Sequence, residues 1–362
     1  MKRSDHPRLN DTVVRNAALL GGTHGNERTG VTAVARRHLP SVVEAAGLPV
    51  PYTPRSFHLQ TLLGNPRAVE HNRRYIDFDL NRCFNTEELS DPHQSGYERQ
   101  RAQVLNTLLG PKGSADPACQ FLIDLHTTTA ALGPTVIIRE DELLARVVAA
   151  LVQRELPQVR VMGYGGDPPA ESPAASESSG STESAGAAEA EQRDRNAEPA
   201  SRPAAGGGPG SAHRGGDHPY VAEITPHGIE IEVGPVPQGV IRADVLIETE
   251  QIINSILRAL DRWNHDEELE IPEEITVYRY IGDSDFPRAP DGSIAGMVHP
   301  ERQDQDFVPL HPGDPLYLGF DGTVTTYDGP AGTVPLFVNE AAYYEKRAAL
   351  TLAQPHRLRT WG

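Results

Sequence analysis

A short apolar run that stops at two glycines is the feature that most constrains the fold. Ala17 to Leu20 precede Gly21-Gly22, which is the pattern of a fully buried strand that ends at a tight turn. Residues 31–47 then have the apolar spacing of an amphipathic helix, and residues 58–66 that of a second strand. A strand, turn, helix and strand in this order predict a βαβ unit in a largely parallel sheet.

The alternation of strands and helices continues as far as residue 265. Residues 121–126 and 134–140 have strand patterns, and residues 97–109, 141–156 and 243–265 have helical periodicity. The fold class predicted from these patterns is α/β, with a mixed, largely parallel sheet and flanking helices. We therefore expect a catalytic domain over residues 12–265.

Two further regions differ in composition from this domain. Residues 165–216 contain no Leu, Ile, Val, Phe, Tyr or Trp, so they cannot bury enough apolar surface to offset the entropy of ordering a backbone. They are predicted to be a disordered insertion. From Glu273 onward, short β-like segments alternate with Gly and Pro turns, which predicts a separate, smaller β-rich domain over residues 266–362.

The charge and hydropathy of the chain exclude several classes of protein. A formal net charge of −17 over 362 residues disfavours nucleic acid and anionic membranes, both of which reward Lys and Arg. No apolar run approaches the roughly 20 residues of a membrane-spanning helix. The first residues contain no apolar segment typical of a secretory signal, so the expected location is the cytoplasm.

Histidine and glutamate follow the first predicted strand at the spacing of a metal site. His24 and Glu27 lie directly after the glycine turn, where both side chains can face one point, as the ligands of a Zn²⁺ ion do. Read alone, the same residues also fit an anion-binding turn or a surface loop. His126 ends the strand over residues 121–126 and supplies a third ligand, while Asp124 is placed to orient His126.

Two other stretches carry groups that such a site needs. Residues 72–82 contain Arg74, Asn81 and Arg82, and guanidinium and amide groups bind carboxylates well. The alternative is a solvated loop in which these arginines pair with neighbouring aspartates. Farther along the chain, Glu230 and Glu232 share one face of a predicted strand. Glu232 is closer to the end of that strand, so it is the predicted general base for a metal-activated water.

Taken together, these stretches resemble a known family. They are GGTHGNERTGV, NPRAV, RYIDFDLNRCF, DLHTTT, IEVGPVPQGVIRADVL, HPERQDQDFVPLHPGDP and VNEAAYYEK. In this order they resemble the aspartoacylase/succinylglutamate desuccinylase family of zinc-dependent acylases, which is itself similar to zinc carboxypeptidases. The resemblance runs from about residue 17 to 348 and is interrupted only by the predicted insertion.

The resemblance implies a role for each matching residue. His24, Glu27 and His126 would bind one Zn²⁺ per subunit, and Glu232 would be the general base. Arg74 would polarise the scissile carbonyl. The remaining substrate contacts would come from Asn81 and Arg82, at the α-carboxylate, and from Tyr343, which would close the pocket from the C-terminal domain.

The implied reaction is the deacylation of an N-acyl-L-amino acid, with N-acetyl-L-aspartate, cleaved to acetate and L-aspartate, as the first expectation. The alternatives are an acylase for aromatic or other amino acids, a succinylglutamate desuccinylase-like activity, a carboxypeptidase and a zinc-dependent binding protein. The expected partner is the small-molecule substrate, and a homodimer is an open alternative to a monomer.

One position departs from the family pattern. Aspartoacylases carry an Arg ten residues before the catalytic glutamate, where it binds the side-chain carboxylate of aspartate. The residue at that position here is Ala222, and the nearest polar candidates are Tyr220, His218 and Arg214. The sequence therefore supports the hydrolytic chemistry more directly than it supports selectivity for aspartate.

Overall fold

The computed structural model describes residues 1–39, 47–165 and 217–361. The predicted insertion and Arg214 fall outside these residues, apart from Gly165 at the start of the insertion. The described residues contain six α-helices: α1 (Arg28–Arg36), α2 (Pro66–Glu70), α3 (Thr86–Ser90), α4 (Tyr97–Leu109), α5 (Leu143–Glu155) and α6 (Ala243–Asn264).

Twelve strands accompany these helices in the described part of the chain. They are β1 (Asn16–Gly21), β2 (His58–Leu63), β3 (Phe121–Thr127), β4 (Gly133–Arg139), β5 (Arg160–Tyr164), β6 (His227–Gly234), β7 (Glu274–Ser284), β8 (Gly296–Val298), β9 (Pro315–Gly319), β10 (Val324–Thr326), β11 (Val334–Leu336) and β12 (Leu350–Arg359).

The predicted α/β class is confirmed by a large mixed sheet. Among the described residues nine strands join in the order β11-β12-β7-β5-β4-β6-β3-β1-β2. The pairs on either side of β1, the pair β3–β6 and the pairs on either side of β5 are parallel. The remaining three pairs are antiparallel, so the sheet is mixed and largely parallel, as predicted.

The first strand is buried on both faces because helices cover both sides of the sheet. Side chains of successive strand residues point to opposite faces. Leu19 packs with apolar residues of α1, α5 and α6, whereas Leu20 packs with those of α4. Both leucines are fully buried, which explains why the strand appears in the sequence as a continuous apolar run.

The turn after β1 has no room for side chains at its glycines. A Cβ atom on Gly25 would lie 2.0 Å from the carbonyl carbon of Ala68 in α2. One on Gly21 would lie 2.3 Å from the carbonyl oxygen of Gly30 in α1. The turn that contains His24 and Glu27 therefore packs closely against α1 and α2. This packing fixes the direction of both side chains.

The C-terminal strands extend the central sheet. β7 pairs with β5 in parallel through Met162 and Gly163, and β12 then pairs with the whole of β7. Among the strands of the described residues, β8, β9 and β10 form a separate sheet. The sequence patterns predicted β-rich structure here but not its continuity with the first sheet. The division of the chain at residues 265 and 266 stays a prediction.

Two strands, β5 and β12, were not predicted. β12 includes Pro355, and proline cannot donate a ladder hydrogen bond. β11 pairs only with residues 351–353 of β12, so this side of β12 is an open edge at Pro355, where proline is tolerated. None of the helices in the described parts of the chain has the length and apolar character of a membrane span.

Candidate metal centre and substrate pocket

The three predicted metal ligands converge at the carboxyl ends of β1 and β3. Nδ1 of His24 lies 2.6 Å from Oε1 of Glu27, and Nδ1 of His126 lies 3.0 Å from Oε2 of the same carboxylate. The two Nδ1 atoms are 3.2 Å apart. One ligand atom from each residue lies within 4.8 Å of the others, and all three residues are buried. Two imidazoles and one carboxylate therefore face a common point.

Each histidine is oriented by a carboxylate on the far side of its ring. Oδ2 of Asp124 lies 2.6 Å from Nε2 of His126, and Oδ1 of Asp79 lies 2.9 Å from Nε2 of His24. Thr23 in turn donates a hydrogen bond to Asp124. These contacts make Nε2 the protonated nitrogen of both rings and leave both Nδ1 atoms available as ligands. Asp124 lies where the sequence predicted it, whereas Asp79 was not predicted.

The donor set fits a divalent zinc ion. Two neutral imidazoles and one carboxylate are the protein ligands of a catalytic zinc site, which keeps a further position open. The Nδ1 atoms of His24 and His126 are 3.2 Å apart. Their lone pairs repel one another unless a proton or a cation lies between them. Burial raises the pKa of Glu27, but the two histidines lower it more strongly, so Glu27 is ionised as a ligand must be.

The predicted base lies on the strand next to His126. Glu232 on β6 is directly opposite His126 on β3 in the parallel register, and its Oε1 is buried without a hydrogen-bond partner. Burial raises the pKa of Glu232 well above its usual range, and the nearby Glu27 and Glu340 raise it further, while His126 lowers it. Glu232 thus presents an unpaired oxygen to the pocket, which is what a proton acceptor requires.

Arg74 contacts the carboxylates around the metal ligands. Its guanidinium donates to Oε1 of Glu27 at 3.3 Å and to Oδ2 of Asp79 at 3.1 Å. Burial lowers the pKa of Arg74, but these two carboxylates outweigh that effect and raise the pKa above its normal value. Arg74 is consequently a fixed positive charge beside the candidate metal centre. It pairs with Asp79, as the alternative of paired arginines and aspartates predicted, but it does so in the pocket and not in a solvated loop.

A buried glutamate holds the loop that carries Arg74. Glu98 on α4 is fully buried, and its carboxylate accepts hydrogen bonds from the backbone N–H groups of Ile76, Asp77 and Phe78. It also accepts one from the side chain of Asn65, at 2.9 Å. Sequence reasoning missed Glu98, because its helical spacing gives no sign that its carboxylate turns inward.

Asn81 and Arg82 form the adjoining wall of the pocket. Oδ1 of Asn81 accepts a hydrogen bond from the backbone of Val221 at 2.8 Å, which leaves its amide nitrogen to face outward. Arg82 lies over the ring of Tyr220, 5.0 Å from the centroid, and its Nε is buried without a partner. Both residues therefore keep unused donors.

The segment with Tyr343 is attached to the metal-centre side by Glu340. The carboxylate of Glu340 accepts hydrogen bonds from the hydroxyl of Thr128 and from the backbone N–H of Thr129, the latter at 2.7 Å. Its other oxygen accepts one from the backbone of Ala342 at 3.0 Å. Residues 341–346, a 3-10 helix, are thus fastened to the loop that follows β3, which explains the placement of Tyr343.

All eight predicted site residues line one pocket that is partly open to solvent, and so does Tyr220, one of the polar candidates near Ala222. Several lining residues were not predicted, because their patterns are those of ordinary strand and loop residues. They include Tyr164, Phe337 and Glu340.

Comparisons with known proteins agree with this geometry. The catalytic domain of the succinylglutamate desuccinylase/aspartoacylase family matches residues 13–260, and the barrel-sandwich hybrid domain of the same family matches residues 273–355. A probable aspartoacylase from Acaryochloris marina is 33% identical over 344 residues, covering 95% of this chain and 97% of the relative.

Two mammalian proteins are similar over comparable lengths. The N-acyl-aromatic-L-amino acid amidohydrolase (carboxylate-forming) of Homo sapiens is 33% identical over 343 residues, covering 93% of this chain and 89% of the relative. The crystal structure of murine aminoacylase 3 superposes with a TM-score of 0.73 at 33% identity, covering 96% of this chain and 97% of the other.

The mixed sheet with its flanking helices and strand-end site defines a zinc-carboxypeptidase-like fold. More narrowly, the chain belongs to the succinylglutamate desuccinylase/aspartoacylase family. Membership of this family supports a hydrolase of N-acyl amino acids.

Proposed function

We propose that this protein is a zinc-dependent amidohydrolase that removes the acyl group from an N-acyl-L-amino acid. The observation that carries the proposal is the convergence of His24, Glu27 and His126 beside the unpaired oxygen of Glu232. Three ligands, an adjacent acceptor and a nearby fixed cation are the groups that metal-assisted amide hydrolysis requires.

The ligand residues would hold the ion, and Asp79 and Asp124 would keep the two histidines in the correct orientation. When bound, zinc acts as a Lewis acid toward a carbonyl oxygen and lowers the pKa of water.

Glu232 would move the proton. Its Oε1 has no competing donor among the described residues, so it can accept the proton of the attacking water. The same carboxyl group then returns this proton to the nitrogen of the leaving amine. The C–N bond breaks, and the products are a carboxylate and a free amino acid.

Arg74 would stabilise the negative charge that develops on the carbonyl oxygen. It is already held as a cation by Glu27 and Asp79, so little reorganisation is needed at the moment of reaction. A preorganised donor of this kind is typically worth about 3 kcal/mol in the barrier.

Asn81 and Arg82 would bind the α-carboxylate of the amino-acid half through their unused donors. Tyr343 would close the pocket over the bound substrate, with residues 266–362 acting as the closing domain and residues 12–265 as the catalytic one.

N-acetyl-L-aspartate remains the first substrate to test, because several relatives are named aspartoacylase. The relative named for N-acyl-aromatic amino acids is as similar, so aromatic substrates are the second candidate. The cytoplasmic location and a homodimer remain expectations.

The test combines metal content with a substrate panel on one purified sample of the full chain. We expect one equivalent of zinc and hydrolysis of at least one substrate among N-acetyl-L-aspartate, N-acetyl aromatic amino acids and N-succinyl amino acids. Glu232→Gln should keep the zinc and lose at least about 100-fold in kcat.

Full turnover by the Glu232→Gln variant would remove Glu232 from the role of base. Turnover of a tripeptide but of no acylated amino acid would indicate a carboxypeptidase, and bound zinc without any turnover would indicate a binding protein.

A further inference from the structure

Glu230 is an acidic residue of the pocket that has no role in the proposed reaction. It lies two residues before Glu232 on β6, on the same face of the sheet, directly opposite Asp124 on β3. It is 6% exposed and lines the pocket together with Glu232. A carboxylate in this position is desolvated and points toward the space that the substrate would enter.

The carboxylate of Glu230 is only partly compensated by the described residues around it, through the charges of His126 and Arg82. None of them donates a hydrogen bond to it, and the nearest cation-forming group is Nε2 of His126, at 3.9 Å. That nitrogen is already bound to Asp124 at 2.6 Å. Burying a carboxylate without a partner costs several kcal/mol. A ligand that brings a donor to Glu230 would remove part of this cost.

The positive groups of the pocket are already used by the rest of the substrate. Among the described residues that line the pocket, Arg74 and Arg82 are the two permanent cations. The first faces the carbonyl oxygen, and the second faces the α-carboxylate in the proposed reaction. At Ala222, the family position of a side-chain-binding arginine, this chain has a methyl group. The remaining charge of the pocket is therefore negative at Glu230.

Distance and surroundings place Glu230 where a substrate side chain would reach. The Oε2 atom of Glu230 is near Nε2 of His126. Nδ1, on the opposite side of the same ring, faces the candidate metal centre. In the proposed reaction the amino-acid half would lie between that centre and Arg82, and its side chain would extend into the part of the pocket that Glu230 lines. The rings of Tyr164 and Tyr220, 5.4 Å apart, form walls that suit methylene groups and cations alike.

We propose that Glu230 is the specificity-determining residue of the pocket and binds a primary ammonium group on the side chain of the substrate. The preferred substrates would then be N-acyl derivatives of diamino acids, such as N-acetyl-L-ornithine or N-acetyl-L-lysine. This inference rests on the proposed deacylase function, and it replaces the acidic side chain of N-acetyl-L-aspartate with a basic one.

The test compares two substrates that differ only at the end of the side chain. N-acetyl-L-ornithine carries the ammonium group, whereas N-acetyl-L-norvaline has the same carbon chain without it. The kcat/KM of the zinc-loaded full chain should be about 10- to 100-fold higher for the ornithine substrate, because a charge-assisted hydrogen bond forms only there.

The variant Glu230→Gln keeps the shape of the side chain and removes its charge. It should abolish most of the preference for N-acetyl-L-ornithine over N-acetyl-L-norvaline, mainly through KM. Glu248→Gln on α6, outside the pocket, is the control for the loss of one carboxylate and should keep the preference.

Three results would overturn the inference. The first is wild-type hydrolysis of the norvaline or aspartate substrate that equals or exceeds hydrolysis of the ornithine substrate. This result does not depend on whether Glu230→Gln folds. A Glu230→Gln variant with an unchanged preference would also overturn the inference. An equal loss on both substrates, with weaker zinc binding, would make Glu230 a positioning residue for His126. If no N-acyl amino acid is hydrolysed at all, the deacylase function itself fails.

Discussion

Oδ1 of Asp79 lies 2.9 Å from Nε2 of His24, on the side of the ring that faces away from the metal centre. The other oxygen of the same carboxylate contacts Arg74 at 3.1 Å. Asp79 therefore joins a metal-ligand residue to the cation proposed to stabilise the oxyanion. Burial raises the pKa of Asp79, but Arg74 and His24 lower it well below its usual range.

Replacement of Asp79 by Asn should weaken both functions at once. The amide cannot accept from His24 and Arg74 as an anion does, so we expect a loss of about 10- to 100-fold in zinc affinity or in kcat. Zinc affinity is measured by competition with a chelator, and kcat on the best substrate of the panel. Asp77→Asn, two residues away and exposed, is the control. Unchanged zinc affinity and kcat in Asp79→Asn would contradict the orienting role.

Replacement of Gly25 by Ala should displace the turn that carries His24 and Glu27. The new methyl group would overlap the backbone of Ala68, at 2.0 Å, and backbone cannot move aside as a flexible side chain can. We expect a loss of stability of about 2 kcal/mol or more, measured by denaturant unfolding. Gly282→Ala is the control, because a Cβ atom there meets nothing within 4 Å. Equal stability of the two variants would show that the turn is not tightly packed.

Replacement of Glu340 by Gln should loosen the segment that carries Tyr343. The amide of Gln has only one accepting oxygen, so either the donors of Thr128 and Thr129 or the backbone N–H of Ala342 are left unpaired. We expect a loss of about 1–3 kcal/mol in the free energy of unfolding and a higher KM. Glu345→Gln, at an exposed position, should behave like wild type. A Glu340→Gln variant with wild-type stability and KM would refute this attachment.

Lys346 should make the stability of the protein depend on pH. Burial, Arg82 and Arg74 together lower its pKa to about 7, although Asp79 at 3.5 Å opposes them. The unfolded chain holds this proton up to a pKa of about 10.4, so between the two values the unfolded state binds more protons. The contribution of Lys346 to the free energy of unfolding therefore rises with pH across this window.

Lys346→Met should remove this contribution. The difference in unfolding free energy between wild type and the variant, measured from pH 6 to pH 10, should shift in favour of wild type as the pH rises. Other titrating groups cancel in this difference. A difference that stays constant with pH would mean that Lys346 keeps a normal pKa in the folded protein.

Local sequence patterns predicted most of the parallel strands and the convergence of the proposed ligand residues. β1 and β3 appear as apolar runs because both faces are covered, and their carboxyl ends meet at one edge of the sheet. This is why His24 and His126 could be paired from the sequence although 102 residues separate them. The helix over residues 97–109 was predicted with the bounds that the structure shows.

Long-range polar contacts could not be predicted in the same way. Glu98 contacts a loop about 20 residues before it, and Glu340 contacts residues more than 200 positions earlier. Neither residue differs in type or spacing from a solvated glutamate, and only the folded chain distinguishes them. The pairing of β5 with β7 was missed because β5 itself was not predicted, and a strand pattern does not specify its neighbour.

The order of the strands has a consequence for the newly synthesised chain. β7 gains its second neighbour only when β12 has been made, and β12 pairs along the whole length of β7. Until β12 is made, a ribosome-bound chain already contains the three proposed ligand residues. One wall of the pocket is still missing, and the unpaired edge of β7 faces solvent. Such edges are prone to pair with other chains. The proposed ligand residues are therefore all in place on the growing chain before the last strand of the central sheet has been made.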